Sequence, residues 1–437
     1  MNEFETTIVD LGHDGRGVAR QGDKVVFVAG ALPGEQVRLR MRKRHRHYDE
    51  AELLEVLTAS PDRVEPRCQH YQQCSGCSLQ HLAPAAQIEA KQRVLADNFQ
   101  RIGKVSPESW LPPLTDSPWG YRRRGRLSVR HVAKKGRVLV GFREEGNPRF
   151  VADIQRCEVM HPALGPHIGA LADMISGLQA GADIAQVEFA AGDGRMALVF
   201  RHLKPLSDAD QAAMVRFGQA HELAIYLQPG GNDSVHPLWP QDMQLSFSIG
   251  GGRPGDDVSL AFRPLDFVQV NAGMNHKMMA QALDLLDPQP TDKVLDLFCG
   301  LGNFSLPIAR RAARVVGVEG EHGLVERAAQ NAARNGLDNA GFHVANLFED
   351  QRNTAWARED WDSILLDPPR AGADKVLAYL PRKKTRRLVY VSCHPGSLAR
   401  DAGLLVHEHG FRLVKAGVMD MFPHTAHVES IALFERA

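Results

Sequence analysis

The sequence predicts a multidomain protein: an N-terminal OB-like β-barrel, a central α+β domain with a metal-cluster loop, and a C-terminal Rossmann-like α/β domain. Three observations carry that prediction. The chain has 437 residues, more than the roughly 250–300 that one hydrophobic core supports. Its first 58 residues are short β-type runs separated by Gly, Asp and Pro. From about Phe267, apolar β-branched runs alternate with helical patterns, which implies a parallel, doubly wound sheet. The expected boundaries are 1–59, 60–265 and 266–437.

The first segment reads as five strands: TTIVDL, GVAR, KVVFV, EQVRLRMR and AELLEVL. Five strands in so short a length fit a small OB-type barrel, an architecture that often binds oligonucleotides. Ser60 to Pro66 reads as a linker, and a helical pattern from about 83 to 102 ends at Gly103. Residues 118–265 mix both element types without one period. In the last segment KVLDLFCG, VVGVEG, GFHVAN, DSILLDPP and RLVYVSC read as strands. NFSLPIARRA and EHGLVERAAQNAARNG read as helices, the second with Gly336 as C-cap.

No run of 18 or more apolar residues occurs, so no membrane span is expected. The opening MNEFETTIVDLGHDGRG lacks a charged-then-apolar signal segment, which points to the cytoplasm. Lys plus Arg and Asp plus Glu both number 52, for zero net charge, yet the basic residues are clumped. RLRMRKRHRH (38–47), YRRRGR (121–126) and PRKKTRR (381–387) are local patches of the kind that grip phosphates, so a polyanion partner is expected.

A cofactor site is legible at strand ends. DLFCGLGNFSLP (296–307) leaves a strand and opens a helix, with Gly300 and Gly302 permitting a tight turn and close approach of a ligand. Glu319 ends the next strand, where a carboxylate can accept from two ribose hydroxyls. Asn346 and Asp367 end two more, and the Asn346 amide could meet an adenine edge. The turn lacks the third Gly of a dinucleotide fingerprint, which favours a cofactor without a pyrophosphate, S-adenosylmethionine.

The reaction centre follows. In DPPR, Arg370 stands where enzymes that methylate amines on adenine usually carry an aromatic residue, so amine chemistry is disfavoured. Cys393 ends the strand of LVYVSCHPGSLARD just before a helix start, a setting expected to lower a thiol's pKa. Glu429, in HVES, begins a late apolar run. Carbon 5 of uracil is a poor nucleophile until a thiolate adds to carbon 6, and the C5 proton must then be removed. That chemistry needs a Cys nucleophile and a general base, roles that Cys393 and Glu429 match. Cys299, inside the cofactor turn, reads as packing.

Cys68, Cys74 and Cys77 form C-x5-C-x2-C in a polar, Gly-bearing stretch. Cys157 is the remaining free thiol, and four thiolates suit zinc or an iron–sulfur cluster. His70, His81 or His161 could replace Cys157 and would favour zinc; spacing alone leaves the metal open.

FVQVN (267–271), DLFCGLGNFSLP, VVGVEG, LLDPPR, VSCHP and HVES together resemble the RNA uracil-5-methyltransferases, and the N-terminal barrel resembles a TRAM domain. The tRNA-directed branch of that family resembles only the catalytic part and lacks the cysteine cluster. A second rRNA branch has the cluster without the barrel. This chain has both, so it is similar to the 23S rRNA branch. The resemblance implies that Gln269, Phe298, Asn303, Glu319, Asn346 and Asp367 bind S-adenosylmethionine. It implies Cys393 as nucleophile and Glu429 as base, and Cys68, Cys74, Cys77 and Cys157 as ligands of a [4Fe-4S] cluster. The implied substrate is a single-stranded or flipped-out uridine in 23S rRNA, since a stacked base hides carbon 6. No protein partner is expected to be required.

Overall fold

The structure, a computed structural model, describes residues 3–380 and 383–436. The N-terminal sheet has six strands in the order Glu3–Thr7, Gln36–Arg44, Tyr48–Thr58, Lys24–Val28, Gly17–Gln21, Asp10–Leu11. The run read as one strand, TTIVDL, is bent into two pieces that pair with opposite edges. At the bend Ile8 N donates to Glu35 O (2.9 Å) and Val9 N donates to Val18 O (2.8 Å), so the sheet closes on itself. Strand alternation explains the filling: Val37, Leu39 and Met41 point inward and Arg38 and Arg40 outward.

The central sheet runs His236–Trp239, Leu223–Gln228, Met196–His202, Ile184–Ala191, Arg124–Val132, Arg137–Gly141. Helices Ile168–Ser176 and Asp208–Ala220 pack on it. A separate hairpin, Leu245–Ile249 with Val258–Phe262, leads to the last segment.

The C-terminal sheet has eight strands in the order Ala340–Val344, Arg314–Glu319, Lys293–Leu297, Ser363–Leu366, Arg387–Ser392, Glu429–Arg436, Phe411–Met419, Ser109–Trp110. The first five are mutually parallel, and Glu429–Arg436 runs antiparallel to its neighbours. Successive residues of the central strands enter two cores on opposite faces: Val294 and Val315 one, Leu295 and Val316 the other. Burial on both faces explains why these strands read as continuous apolar runs. The edge strand Ser109–Trp110 comes from within the central stretch of the sequence, as does helix Pro84–Asn98, which packs on helix Pro395–His407. No helix among the described residues is long and apolar enough to cross a membrane.

Candidate active site

The glycine turn follows strand Lys293–Leu297. Phe298, Gly300 and Gly302 all have positive φ (65°, 53° and 87°), so the backbone reverses within five residues. Asp296 lies beneath the turn, fully buried, and accepts from Ser305 Oγ. Cys299 is buried, its Sγ facing Gly317. FVQVN is held from the central domain: Arg123 Nε donates to Gln269 O (2.8 Å) and Arg123 N to Val270 O (2.9 Å). Its last residue, Asn271, caps helix Ala272–Leu286 by accepting from Met274 N (3.1 Å).

Five of the six residues expected at the cofactor, Gln269, Phe298, Glu319, Asn346 and Asp367, line one cavity of about 660 Å³. Asn303 lines a smaller pocket that shares Gln269, Phe298 and Asp367 with it. Asn303 and Asn275 exchange two amide hydrogen bonds of 3.1 Å. Glu319 accepts from Gly300 N (3.2 Å) and Gly320 N (2.7 Å). The Asn346 amide turns to its own loop, donating to Glu349 and accepting from Phe348 N.

Cys393 and Glu429 line the same cavity. Sheet register brings them together: Ser392 pairs with Ser430 across antiparallel strands, so the residue after one lies beside the residue before the other. A second cavity of about 700 Å³ opens on the other side of Cys393. Its walls come from the barrel (His13, Asp14), the cysteine loop (Ser75, Ser78) and the central sheet (Arg126, Ser128). Arg370, Cys393, Phe422 and His427 belong to both cavities.

The electrostatics differ from the sequence expectation at one point. The Cys393 thiol is not lowered; burial, with the nearby Glu429 and Asp367 carboxylates, pushes it up to about 11. Arg370 and a backbone hydrogen bond lower it but do not outweigh them; at the helix start His394 Nδ1 accepts from Ser397 N. Burial and Asp367 push Glu429 up to about 8, against Lys91 and Arg370. Burial and Glu319 push Asp367 up to about 7. Each keeps a little surface on the cavity while packed deep in the protein. A cavity this rich in reluctant carboxylates suits a ligand with a positive centre, and the sulfonium of S-adenosylmethionine is one. The residues present therefore fit that cofactor.

Cys68, Cys74, Cys77 and Cys157 line one small cavity of their own, with His70 at its wall. The loop is pinned just beyond strand Arg137–Gly141, Ser75 N donating to Arg143 O (3.0 Å). Burial raises all four thiols, Cys74 to about 11 and Cys77 to about 12; the charges of neighbouring thiols add to it at Cys74, Cys77 and Cys157, and that of Glu158 at Cys68. Thiols so crowded become thiolates only around a cationic centre, which is the donor chemistry of a thiolate-ligated cluster. Among the described residues, no three or more His, Cys, Asp or Glu side chains are arranged to hold a metal ion. His81 instead bonds Tyr71, and His161 lines a different pocket.

The basic runs are only partly phosphate-ready. Arg38 pairs with Glu5 and Glu55, and Arg40 with Glu3 and Glu52. Arg123 is buried over the Phe247 ring (4.5 Å). In 381–387, Pro381 and Arg382 lie outside the described residues, while Lys384, Arg386 and Arg387 pair with Asp360, Asp292 and Glu435. Arg42, Lys43, Arg44 and Arg46 stay exposed. Sequence reasoning missed Lys91, Phe422 and His427; Lys91 and Phe422 sit in no motif, and His427 opens HVES, where only Glu429 was singled out.

Comparison with known proteins bears directly on this geometry. The family model described as tRNA (Uracil-5-)-methyltransferase matches residues 256–437, and the TRAM domain model matches residues 2–54. The chain is 61% identical over 436 residues to the 23S rRNA (uracil(1939)-C(5))-methyltransferase RlmD of Xanthomonas campestris pv. campestris (strain 8004), covering 99% of this chain and 97% of that one. The chain belongs to the RlmD family. A second RlmD, from Stenotrophomonas maltophilia (strain R551-3), is 60% identical with the same coverage.

The fold is shared beyond the RlmD family. The crystal structure of Pyrococcus abyssi tRNA (uracil-54, C5)-methyltransferase in complex with S-adenosyl-L-homocysteine matches with a TM-score of 0.75 at 24% identity. It covers 99% of this chain and 100% of that one. A tRNA-directed enzyme thus has this architecture over its whole length, contrary to the expectation that the tRNA branch resembles only the catalytic part. The fold alone does not select the RNA; membership of the RlmD family rests on sequence identity.

Proposed function

We propose that the protein methylates carbon 5 of a uridine in 23S rRNA, with Cys393 as covalent nucleophile and Glu429 as general base. The observation that carries this reading is the meeting of two cavities at Cys393, one with the cofactor-type residues and one walled by three domains. The names of the RlmD relatives support the choice of RNA and position. S-adenosylmethionine, when bound, supplies an electrophilic methyl group; Gln269, Phe298, Asn303, Glu319, Asn346 and Asp367 would hold it.

The protein's own residues do the rest. A flipped-out uridine enters from the larger cavity, where Phe422 and His427 offer flat walls. The Cys393 thiol loses its proton to solvent, a step that burial and the nearby carboxylates oppose; the thiolate then adds to carbon 6, and the electron pair moves through carbon 5 to the O4 oxygen. Carbon 5 uses that pair to take the methyl group, leaving neutral S-adenosylhomocysteine; ionised Glu429 then removes the carbon-5 proton, and the electrons of that C–H bond expel the thiolate. Arg370, beside both groups, opposes the charge that builds up during addition.

The cysteine loop and Cys157 are proposed to hold a [4Fe-4S] cluster through Cys68, Cys74, Cys77 and Cys157. The gathering of the thiols round one cavity supports it, and the family resemblance favours iron–sulfur over zinc. Methyl transfer needs no electrons, so the role is structural. An rRNA substrate puts the work in the cytoplasm, with no protein partner required.

Assays with unmodified 23S rRNA and tRNA transcripts test the substrate; methylation of tRNA alone would overturn it. Cys393→Ala should lose methylation and lose cross-linking to RNA bearing 5-fluorouridine; full activity would overturn the covalent mechanism. Anaerobically purified protein should carry iron and acid-labile sulfide, and a single bound zinc in their place would refute the cluster.

A further inference from the structure

Lys91 is 2% exposed. It lies on helix Pro84–Asn98 and plays no part in the mechanism above. A buried ammonium is costly unless paired and hydrogen-bonded, and this one is both. Its Nζ donates to Asp420 Oδ1 (2.6 Å) and to Phe422 O (3.0 Å). Both partners belong to the loop 420–428. That loop starts after Met419 and ends before Glu429, and those two residues are register partners in adjacent antiparallel strands. A grip on the first and third residues therefore fixes the loop at its root.

The same helix holds the loop a second time. Gln87, one turn earlier on the same face, accepts from His424 N (2.8 Å) and donates to Leu79 O (2.9 Å) and Leu82 O (2.7 Å). The loop it steadies presents Phe422 and His427 to both cavities and runs straight into Glu429.

We propose that Lys91 is a positioning residue for Glu429: it ties down the loop that delivers this carboxylate and sets a buried positive charge beside it. The proposal rests on the reading of Glu429 as the base. The charged and titratable groups facing Glu429 are Asp367, Lys91, Arg370 and the Cys393 thiol. Those facing Lys91 are Asp420, Glu429, His424 and His427. Burial and Asp367 oppose ionisation of Glu429, and the two cations favour it. Without Lys91, Arg370 would stand alone against them, and Glu429 would keep its proton to higher pH.

The test compares Lys91→Met, Lys91→Arg and Glu429→Gln in steady-state methylation of a 23S rRNA fragment across pH, with gels that resolve covalent protein–RNA adduct. Glu429→Gln should stall after methyl transfer and accumulate adduct. Lys91→Met should accumulate the same adduct with KM for RNA unchanged. The rising limb of its kcat profile should move up by about one pH unit, about a tenfold loss of kcat below it. Lys91→Arg should restore the profile. If Lys91→Met does not fold, Lys91→Met/Asp420→Asn removes both charges together and is assayed in its place; the Asp420 charge goes as well, so a smaller upward shift is expected, with the adduct still accumulating because the loop has lost its tie. An unshifted profile in whichever variant folds, with Glu429→Gln still accumulating adduct, overturns the role of Lys91 alone. Normal turnover by Glu429→Gln overturns the base reading and this inference with it.

Discussion

Cofactor binding should depend on pH in a way that distinguishes a charged from an uncharged sulfur. Asp367 lines the cofactor cavity with its carboxyl pushed up to about 7 by burial and Glu319. A cationic ligand favours the ionised form, so binding should release a proton and tighten as pH rises. If binding requires ionised Asp367, the competent fraction goes from about one-tenth at about pH 6 to about nine-tenths at about pH 8, roughly a tenfold gain in affinity. Glu429, pushed up to about 8 in the same cavity, adds to the gain in the same direction. S-Adenosylhomocysteine shares the rest of the molecule but has a neutral sulfur, so its affinity should change much less. Isothermal titration calorimetry in two buffers of different ionisation enthalpy measures both the affinity and the protons released. Asp367→Asn should flatten the S-adenosylmethionine curve. Equal pH dependence for the two ligands, or none for S-adenosylmethionine, would refute the electrostatic argument.

Other consequences follow from named contacts. Glu35 has no exposed surface and accepts from Leu32 N, Ser60 N and Arg63. Burial pushes its carboxyl up, but the bonds from Arg63 and the two backbone amides outweigh it, so the folded pKa is lowered. Its contribution is therefore present above the unfolded carboxylate range and lost as pH falls through the folded value. Glu35→Gln should cost about 3 kcal/mol at neutral pH, measured by chemical denaturation, with the difference from the parent shrinking in acid. Neutralising Arg42, Lys43, Arg44 and Arg46 should flatten the salt dependence of RNA binding, by about 0.7–0.9 in log–log slope for each phosphate no longer neutralised. Arg38→Gln/Arg40→Gln should change it far less, since those side chains are already ion-paired; the reverse ranking in filter-binding titrations would contradict the assignment. Arg123→Met removes a bond to Gln269 O but also a buried charge whose Nη2 has no hydrogen-bond partner. The KM for S-adenosylmethionine should rise about tenfold, the weight of one charged hydrogen bond, while the melting temperature holds or rises.

What was legible in the sequence is what a parallel sheet makes one-dimensional. Ligands bind at the carboxyl ends of such strands, so Glu319, Asn346, Asp367 and Cys393 could each be read as the last residue of an apolar run, and they do share a rim. What was not legible depends on neighbours from elsewhere in the chain. The Cys393 thiol looked acidified by its helix, yet carboxylates on two other strand ends and burial set its pKa, and neither is local. Arg38 and Arg40 looked like phosphate contacts because their acidic partners stand on adjacent strands. Strand Ser109–Trp110 is two residues long, below any periodicity, so the segment around it gave no sign of joining the methyltransferase sheet. The loop 420–428 shows the same limit most sharply. Ser78 N and Leu79 N both donate to His424 O (2.9 Å each), Ala426 N donates to Ser78 Oγ (3.2 Å), and Tyr121 OH donates to Pro423 O (3.1 Å). The cysteine loop, the central domain and helix Pro84–Asn98 thus all hold the nine residues that precede Glu429. A structural cluster makes physical sense on those terms: stiffening the cysteine loop stiffens the wall of the reaction centre, although no thiol of that loop lines the cavity where the chemistry is proposed.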